Sequence, residues 1–131
     1  MKRLLLDTTF LIDTERAEAA AKLIDDDDDV AMAAITVAEL LVGVELSKCK
    51  ARIARQTFVD SALTTIPIIS YDVEIARTHA GLLAAVRKAG RPLCAHDLLI
   101  AATAKVTGRT VVTADPDGFE NLPGVDVSSH R

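Results

Sequence analysis

Short apolar runs alternate along the chain with longer stretches in which apolar residues recur every three or four positions, the spacing of one helix face. "RLLLD" reads as a buried strand ending at Asp7, and "TFLIDTERAEAAAKLI" as helix in two pieces. "VAMAAI" is a second strand, followed by a helix over "TVAELLVGVELS" with Thr36 as its N-cap. "KCKARIARQTFVDSAL" is helical, and "TIPII" is a strand that Pro67 confines to a short or edge position. "YDVEIARTHAGLLAAVRKAG" predicts a long amphipathic helix whose stripe is Ile75, Leu82, Leu83 and Val86, ended by Gly90. "HDLLIAATAKVTG" is a nearly all-apolar helix stopped by Gly108; "TVVTAD" and "GVDVSS" supply the last strands. Strands alternating with helices predict an α/β domain over residues 1–131. Its sheet is mostly parallel, of four to five strands, and flanked by helices.

Composition sharpens this picture. Half the residues are apolar and only 3% aromatic, so the core is aliphatic. No apolar run reaches the roughly 20 residues that span a bilayer. The opening "MKRLLLDTTFLI" resembles a signal peptide, but Asp7 breaks it after three leucines and no small-residue cleavage site follows. A cytoplasmic protein is the expectation, with Cys49 and Cys94 as reduced, small apolar side chains. The net charge is −4, yet Asp25 to Asp29 form a run of five acids, and outside it 14 acids face 15 bases. The acidity is therefore local and does not exclude a polyanionic partner. Adjacent carboxylates in a turn diverge and repel, whereas a cation site needs ligands converging from a rigid frame. The run reads as a solvated loop.

Isolated acids in apolar settings are more informative. Asp7 and Asp115 each follow an apolar run at the carboxyl end of a strand, where open parallel sheets bind ligands. Glu39 lies in "TVAELLVGVEL" with Val42 and Leu46 on its own face, which predicts a partly buried carboxylate. Asp97 opens a helix that contains no other acid. Each has a plainer reading: a capping box between Thr36 and Glu39, an N-cap at Asp97, turns at Asp7 and Asp115. Four such acids projecting toward one rim are harder to explain that way.

"LLLDTTFLID", "AAITVAELLVGV", "HDLLIAATA" and "VVTADPDGFENLPGVDV" resemble, in order and spacing, the motifs of PIN domains of the VapC toxin type, over essentially the whole chain. The resemblance implies a PIN-like fold and Mg²⁺- or Mn²⁺-dependent endoribonuclease activity on structured RNA of the tRNA or rRNA class. It implies an acidic cluster of Asp7, Glu39, Asp97 and Asp115. Asp7 and Asp97 are expected as main metal ligands, Asp115 as a direct or water-linked ligand, and Glu39 as a ligand or the group that orients the attacking water. Thr9 matches a position whose hydroxyl is expected to hold a water of the ion, and Thr113 matches the hydroxyl residue opening the last motif. The chain departs from the family at one place: an acid commonly precedes the phenylalanine, but here Gly118 does, with Asp117 one position earlier. Asp117 is thus a further candidate ligand, ranked after Asp115. A small VapB-type antitoxin and a homodimer packed through helices are the implied protein partners.

The chemistry suits these residue types. Carboxylates repel phosphate and act on it only through a hard divalent cation, which takes oxygen ligands. RNA also needs a basic surface nearby. Lys48, Lys50, Arg52 and Arg55 supply one candidate, and Arg87, Lys88 and Arg91 another; each reads equally well as a solvated helix face. Two rival readings remain: a phosphohydrolase using Asp7 as nucleophile, and a catalytically silent PIN scaffold that binds RNA or protein. His79 is expected to be structural; His96, beside Asp97, is a candidate to touch the site but is expected in a local role; His130 carries no reading.

Overall fold

The computed structural model describes residues 1–16, 23–91 and 93–130. Its elements are β1 (Arg3–Leu6), α1 (Thr8–Arg16), β2 (Asp29–Ala33), α2 (Ala34–Leu46), α3 (Cys49–Thr65), β3 (Ile68–Ile69), α4 (Val73–Lys88), α5 (Ala95–Thr107), β4 (Thr110–Thr113), a 3-10 turn (Pro116–Phe119) and β5 (Val127–Ser129). The second helical piece expected before Asp25 falls largely outside the described residues.

All five strands are parallel, in the order β3-β2-β1-β4-β5. The central β1 is buried on both faces, which is why it reads as a continuous apolar run. Successive side chains point to opposite faces. Leu5, with Ala31, Ala33 and Val111, meets Ile75, Leu82 and Val86 of α4 and Leu98 and Ile100 of α5. Leu4 and Leu6, with Met32 and Val112, meet Phe10 and Leu11 of α1, Leu40 and Val44 of α2 and Val59 of α3. Two cores thus sandwich one sheet. The strand order reverses between β1 and β4, so a crevice opens beyond their carboxyl ends, with Asp7 and Asp115 just past them.

The punctuation is mostly local. Asp72 caps α4 by accepting from the Ile75 amide at 2.9 Å. Gly108 ends α5 at φ 65°, a left-handed conformation that glycine adopts without steric cost. β3 is two residues long and lies at the sheet edge after Pro67, as its sequence predicts.

Several expectations fail for physical reasons. Thr36 is not an N-cap: α2 starts at Ala34 with Ala33 as its cap residue and no side-chain cap bond. Thr36 is instead fully buried inside the helix, and its Oγ1 has no hydrogen-bond partner among the described residues. Thr36→Val, nearly the same shape without the hydroxyl, is expected to stabilise the protein by about 1 kcal/mol. Urea denaturation checks this, and a loss of stability contradicts it. Cys49 and Cys94 are free thiols, but both are exposed rather than packed.

The Asp run lies at the amino ends of the strands, opposite the crevice, since Asp29 pairs with Arg3 where β1 and β2 begin. Asp28 accepts from the backbone amides of Lys2 and Asp25 at 2.8 and 3.0 Å, and these amides hold its carboxyl below the usual range. Lys2 Nζ lies 3.5 Å from the same carboxylate. The run is therefore a hydrogen-bonded turn with a cation of its own.

His130 is better placed than its position near the chain end suggests. Its ring is 2% exposed, its Nε2 lies 2.7 Å from Asp13 Oδ2, and it packs edge-on against Phe10 at 5.0 Å. It pins the end of β5 to α1. His130→Ala is expected to cost about 2–4 kcal/mol by removing buried contacts and a hydrogen bond to a carboxylate. A loss below about 1 kcal/mol in chemical denaturation would show that the contact is dispensable.

Candidate metal centre

Asp7 leaves β1 directly into α1 and is 5% exposed. Its backbone amide donates to the Val112 carbonyl at 3.0 Å, which continues the β1–β4 ladder to this point. Its Oδ2 accepts two hydroxyl bonds, from Thr113 at 2.7 Å and Thr9 at 2.9 Å. Thr113 in turn accepts from the Asp115 amide at 3.0 Å, and Thr9 accepts from the Ala114 amide at 2.9 Å. Both hydroxyl protons are thereby committed to one carboxylate oxygen, and the 3.2 Å approach of the two hydroxyls is left without a proton to share. Thr9 therefore also holds Asp7 directly, a contact the sequence did not show. Oδ1 of Asp7 accepts no hydrogen bond from the described residues. Oδ1 is not among the buried atoms left without a partner, so water or a cation can reach it.

Glu39 is half-buried, but not by Val42 and Leu46, which lie on the surface. It is held from other elements. Thr8 donates to its Oε1 at 2.9 Å, and His96 Nδ1 lies 3.4 Å from its Oε2. The sequence's capping box is thus replaced by a bond spanning 31 residues. His96 does reach the site.

Asp97 occupies the first turn of α5 without being its N-cap, which is Cys94. Its carboxyl is pushed up from 3.8 to about 6, first by burial, then by the charges of Asp7, Glu39 and Asp115; His96 opposes the rise. All four acids therefore share one electrostatic environment. The 3-10 turn brings Asp115 alongside: a methyl group on Gly118 would lie 2.8 Å from Asp97 Oδ2 and 3.7 Å from Asp115 Oδ2. Asp117 is exposed on the same turn.

Among the described residues, the one trio of acids with oxygens all within 4.8 Å of one another is Asp25, Asp27 and Asp28, at the opposite rim. The crevice acids are more widely spaced. That spacing suits Mg²⁺, which keeps several waters and is reached partly through them. An oxygen-only donor set, a free oxygen on buried Asp7 and mutual repulsion at Asp97 together fit a hard divalent cation.

The basic residues divide. Arg55 is engaged with Glu15 at 3.3 Å and Ser47 at 3.1 Å, in a cleft also lined by Glu39, Leu40 and Gly43. Arg52 reaches Glu45 at 3.4 Å and stays exposed, as do Lys48, Lys50, Arg87 and Lys88. Arg91 donates to the Glu120 carbonyl at 2.9 Å. Among the described residues, no helix is long and apolar enough to cross a membrane.

Comparison with known proteins bears on the family and the fold. The PIN domain family model matches residues 4–125. Ribonuclease VapC1 of Rickettsia felis is 27% identical over 125 residues, covering 95% of this chain and 93% of the relative. The tRNA(fMet)-specific endonuclease VapC of Shigella flexneri is 27% identical over 129 residues, covering 95% and 96%. The fold superposes on VapBC-5 of Mycobacterium tuberculosis, a member of the VapBC family of toxin–antitoxin systems. The TM-score is 0.81 at 28% identity, with 98% of this chain and 99% of that one covered. By motif, by fold and by the parallel sheet that gathers its acids at one rim, the chain belongs to the PIN-domain family.

Proposed function

We propose that this protein is a VapC-type endoribonuclease that cuts structured RNA with the help of Mg²⁺ or Mn²⁺. The observation that carries the reading is Asp7: a nearly buried carboxylate with one oxygen fixed by Thr9 and Thr113 and the other free, beside three further acids. Its relatives support the substrate class, since one is a VapC ribonuclease and another a tRNA(fMet)-specific endonuclease.

Asp7, Asp97 and Asp115 would hold the ion, with Glu39 beside it and Asp117 in reserve. When bound, such an ion neutralises phosphate charge and makes water more acidic. The chain's own residues do the rest. Thr9 and Thr113 lock Asp7 so that its free oxygen keeps one direction. Thr8 and His96 orient Glu39, whose carboxylate aligns the attacking water and takes its proton. Lys48, Lys50 and Arg52 at the start of α3, with Arg87 and Lys88 at the end of α4, supply phosphate contacts; Arg55 is tied to Glu15 and contributes less. A VapB-type antitoxin tail would cover the acidic crevice, and a basic side chain there would satisfy the same carboxylates. The toxin acts in the cytoplasm, where its RNA is, and forms a homodimer through helix packing.

The Asp7-nucleophile alternative fits less well. Thr9 stands where such enzymes place a second acid, and its hydroxyl donates to Asp7 Oδ2. The test is incubation of purified, antitoxin-free protein with total RNA and Mg²⁺ or Mn²⁺, then mapping of new 5′ ends. Discrete cuts that vanish with EDTA are expected. Intact RNA, or cutting insensitive to EDTA, would refute the reading.

A further inference from the structure

Gly118 stands where the related motif carries an acid, and its backbone does not explain it. Gly90, Gly108 and Gly124 have positive φ, whereas Gly118 does not, so its conformation is open to any residue. What a side chain meets there is the crevice. A Cβ would lie 2.8 Å from Asp97 Oδ2, closer than carbon and oxygen tolerate, and 3.7 Å from both Asp97 Cγ and Asp115 Oδ2. Neither backbone has room to retreat. Phe119, next in the turn, is 2% exposed in the core, and Leu98, next to Asp97, is equally buried. The Gly118 amide also donates to the Asp115 carbonyl at 3.3 Å, which closes the turn. The free coordinate is the Asp97 carboxylate itself, which would have to swing away.

We propose that Gly118 is a positioning residue: its bare Cα keeps the gap between the Asp97 and Asp115 carboxylates open and lets Asp97 hold the orientation that receives the ion. This rests on the metal-site reading above. In this chain, space replaces the additional acid of the related motif, and the ion must make do with fewer charges. A small side chain at 118 therefore acts through Asp97.

Two measurements on the full-length protein test this. The first is Mn²⁺ binding by titration calorimetry on metal-free protein, with Gly118→Ala expected to weaken affinity by about tenfold or more. The second is a thermal-unfolding cycle of Gly118→Ala, Asp97→Ala and the double variant, without metal. Gly118→Ala is expected to lower Tm when Asp97 is present and to leave it unchanged when Asp97 is alanine. Parent-like Mn²⁺ affinity in folded Gly118→Ala overturns the proposal. So do strictly additive Tm changes, which remain readable if a variant is too unstable to titrate. Failure of the parent to bind Mn²⁺ would instead refute the metal-site reading, while the unfolding cycle would still decide whether Gly118 acts on Asp97.

Discussion

Asp7→Asn is expected to lower RNA cleavage at least about 1000-fold, or roughly 4 kcal/mol in the barrier, while the protein stays folded. The two halves of this expectation come from different atoms. The Asn carbonyl oxygen accepts the hydroxyls of Thr113 and Thr9 as Oδ2 does now, so the link between β1, α1 and β4 survives. The other position becomes an amide, which repels a cation where a free carboxylate oxygen would hold one. After burial, Asp7 is also the largest cause of the raised pKa of Asp97. Its neutralisation should let the Asp97 carboxyl fall back toward its ordinary value, which carboxyl NMR would record. Cleavage by Asp7→Asn at the parent rate, with Mn²⁺ present, would place the site elsewhere.

The second large effect is on pH and metal together. In metal-free protein the Asp97 carboxyl sits at about 6, against 3.8 for an ordinary aspartate. The folded state therefore holds that proton more tightly than the unfolded chain does. Stability from this group is highest below about pH 4, falls as pH rises through the window up to about 6, and is lowest above it. At full strength the displacement corresponds to about 3 kcal/mol. Asp97 is only half-buried, and solvent screening reduces this to on the order of 1 kcal/mol. A divalent ion reverses the sign, because it favours the charged carboxylate. Mn²⁺ affinity is thus expected to fall up to about tenfold per pH unit below about pH 6 and to level off above it. The Tm gain on adding Mn²⁺ should be larger near about pH 7.5 than near about pH 5. A flat affinity across this range would mean that Asp97 does not lose a proton to solvent when the ion binds.

The elements that were legible in the sequence are those whose signal is local. β1 reads as a strand because a central parallel strand must be apolar on both faces, and "LLL" is. α4 announces its cap at Asp72 and its stripe at Ile75, Leu82 and Val86. The rim positions of Asp7 and Asp115 follow from strand direction alone. What the sequence concealed is long-range. Thr36 and Glu39 have the spacing of a capping box, but Thr8, from a different helix, takes the glutamate instead. Val42 and Leu46 look like cover for Glu39, yet a helix near the surface leaves them in water. His130 carries no local pattern because its partners, Asp13 and Phe10, lie at the other end of the chain. Gly118 was visible as a departure from the motif; its steric reason needed the position of Asp97.

Among the described residues, acids gather at both rims of the sheet, and the difference between the two groups gives the most direct test. Crystals soaked in Mn²⁺ should show an anomalous peak among Asp7, Glu39, Asp97 and Asp115, with the free Oδ1 of Asp7 in contact or one water away. Density confined to Asp25, Asp27 and Asp28, with the crevice empty at saturating Mn²⁺, would contradict the account.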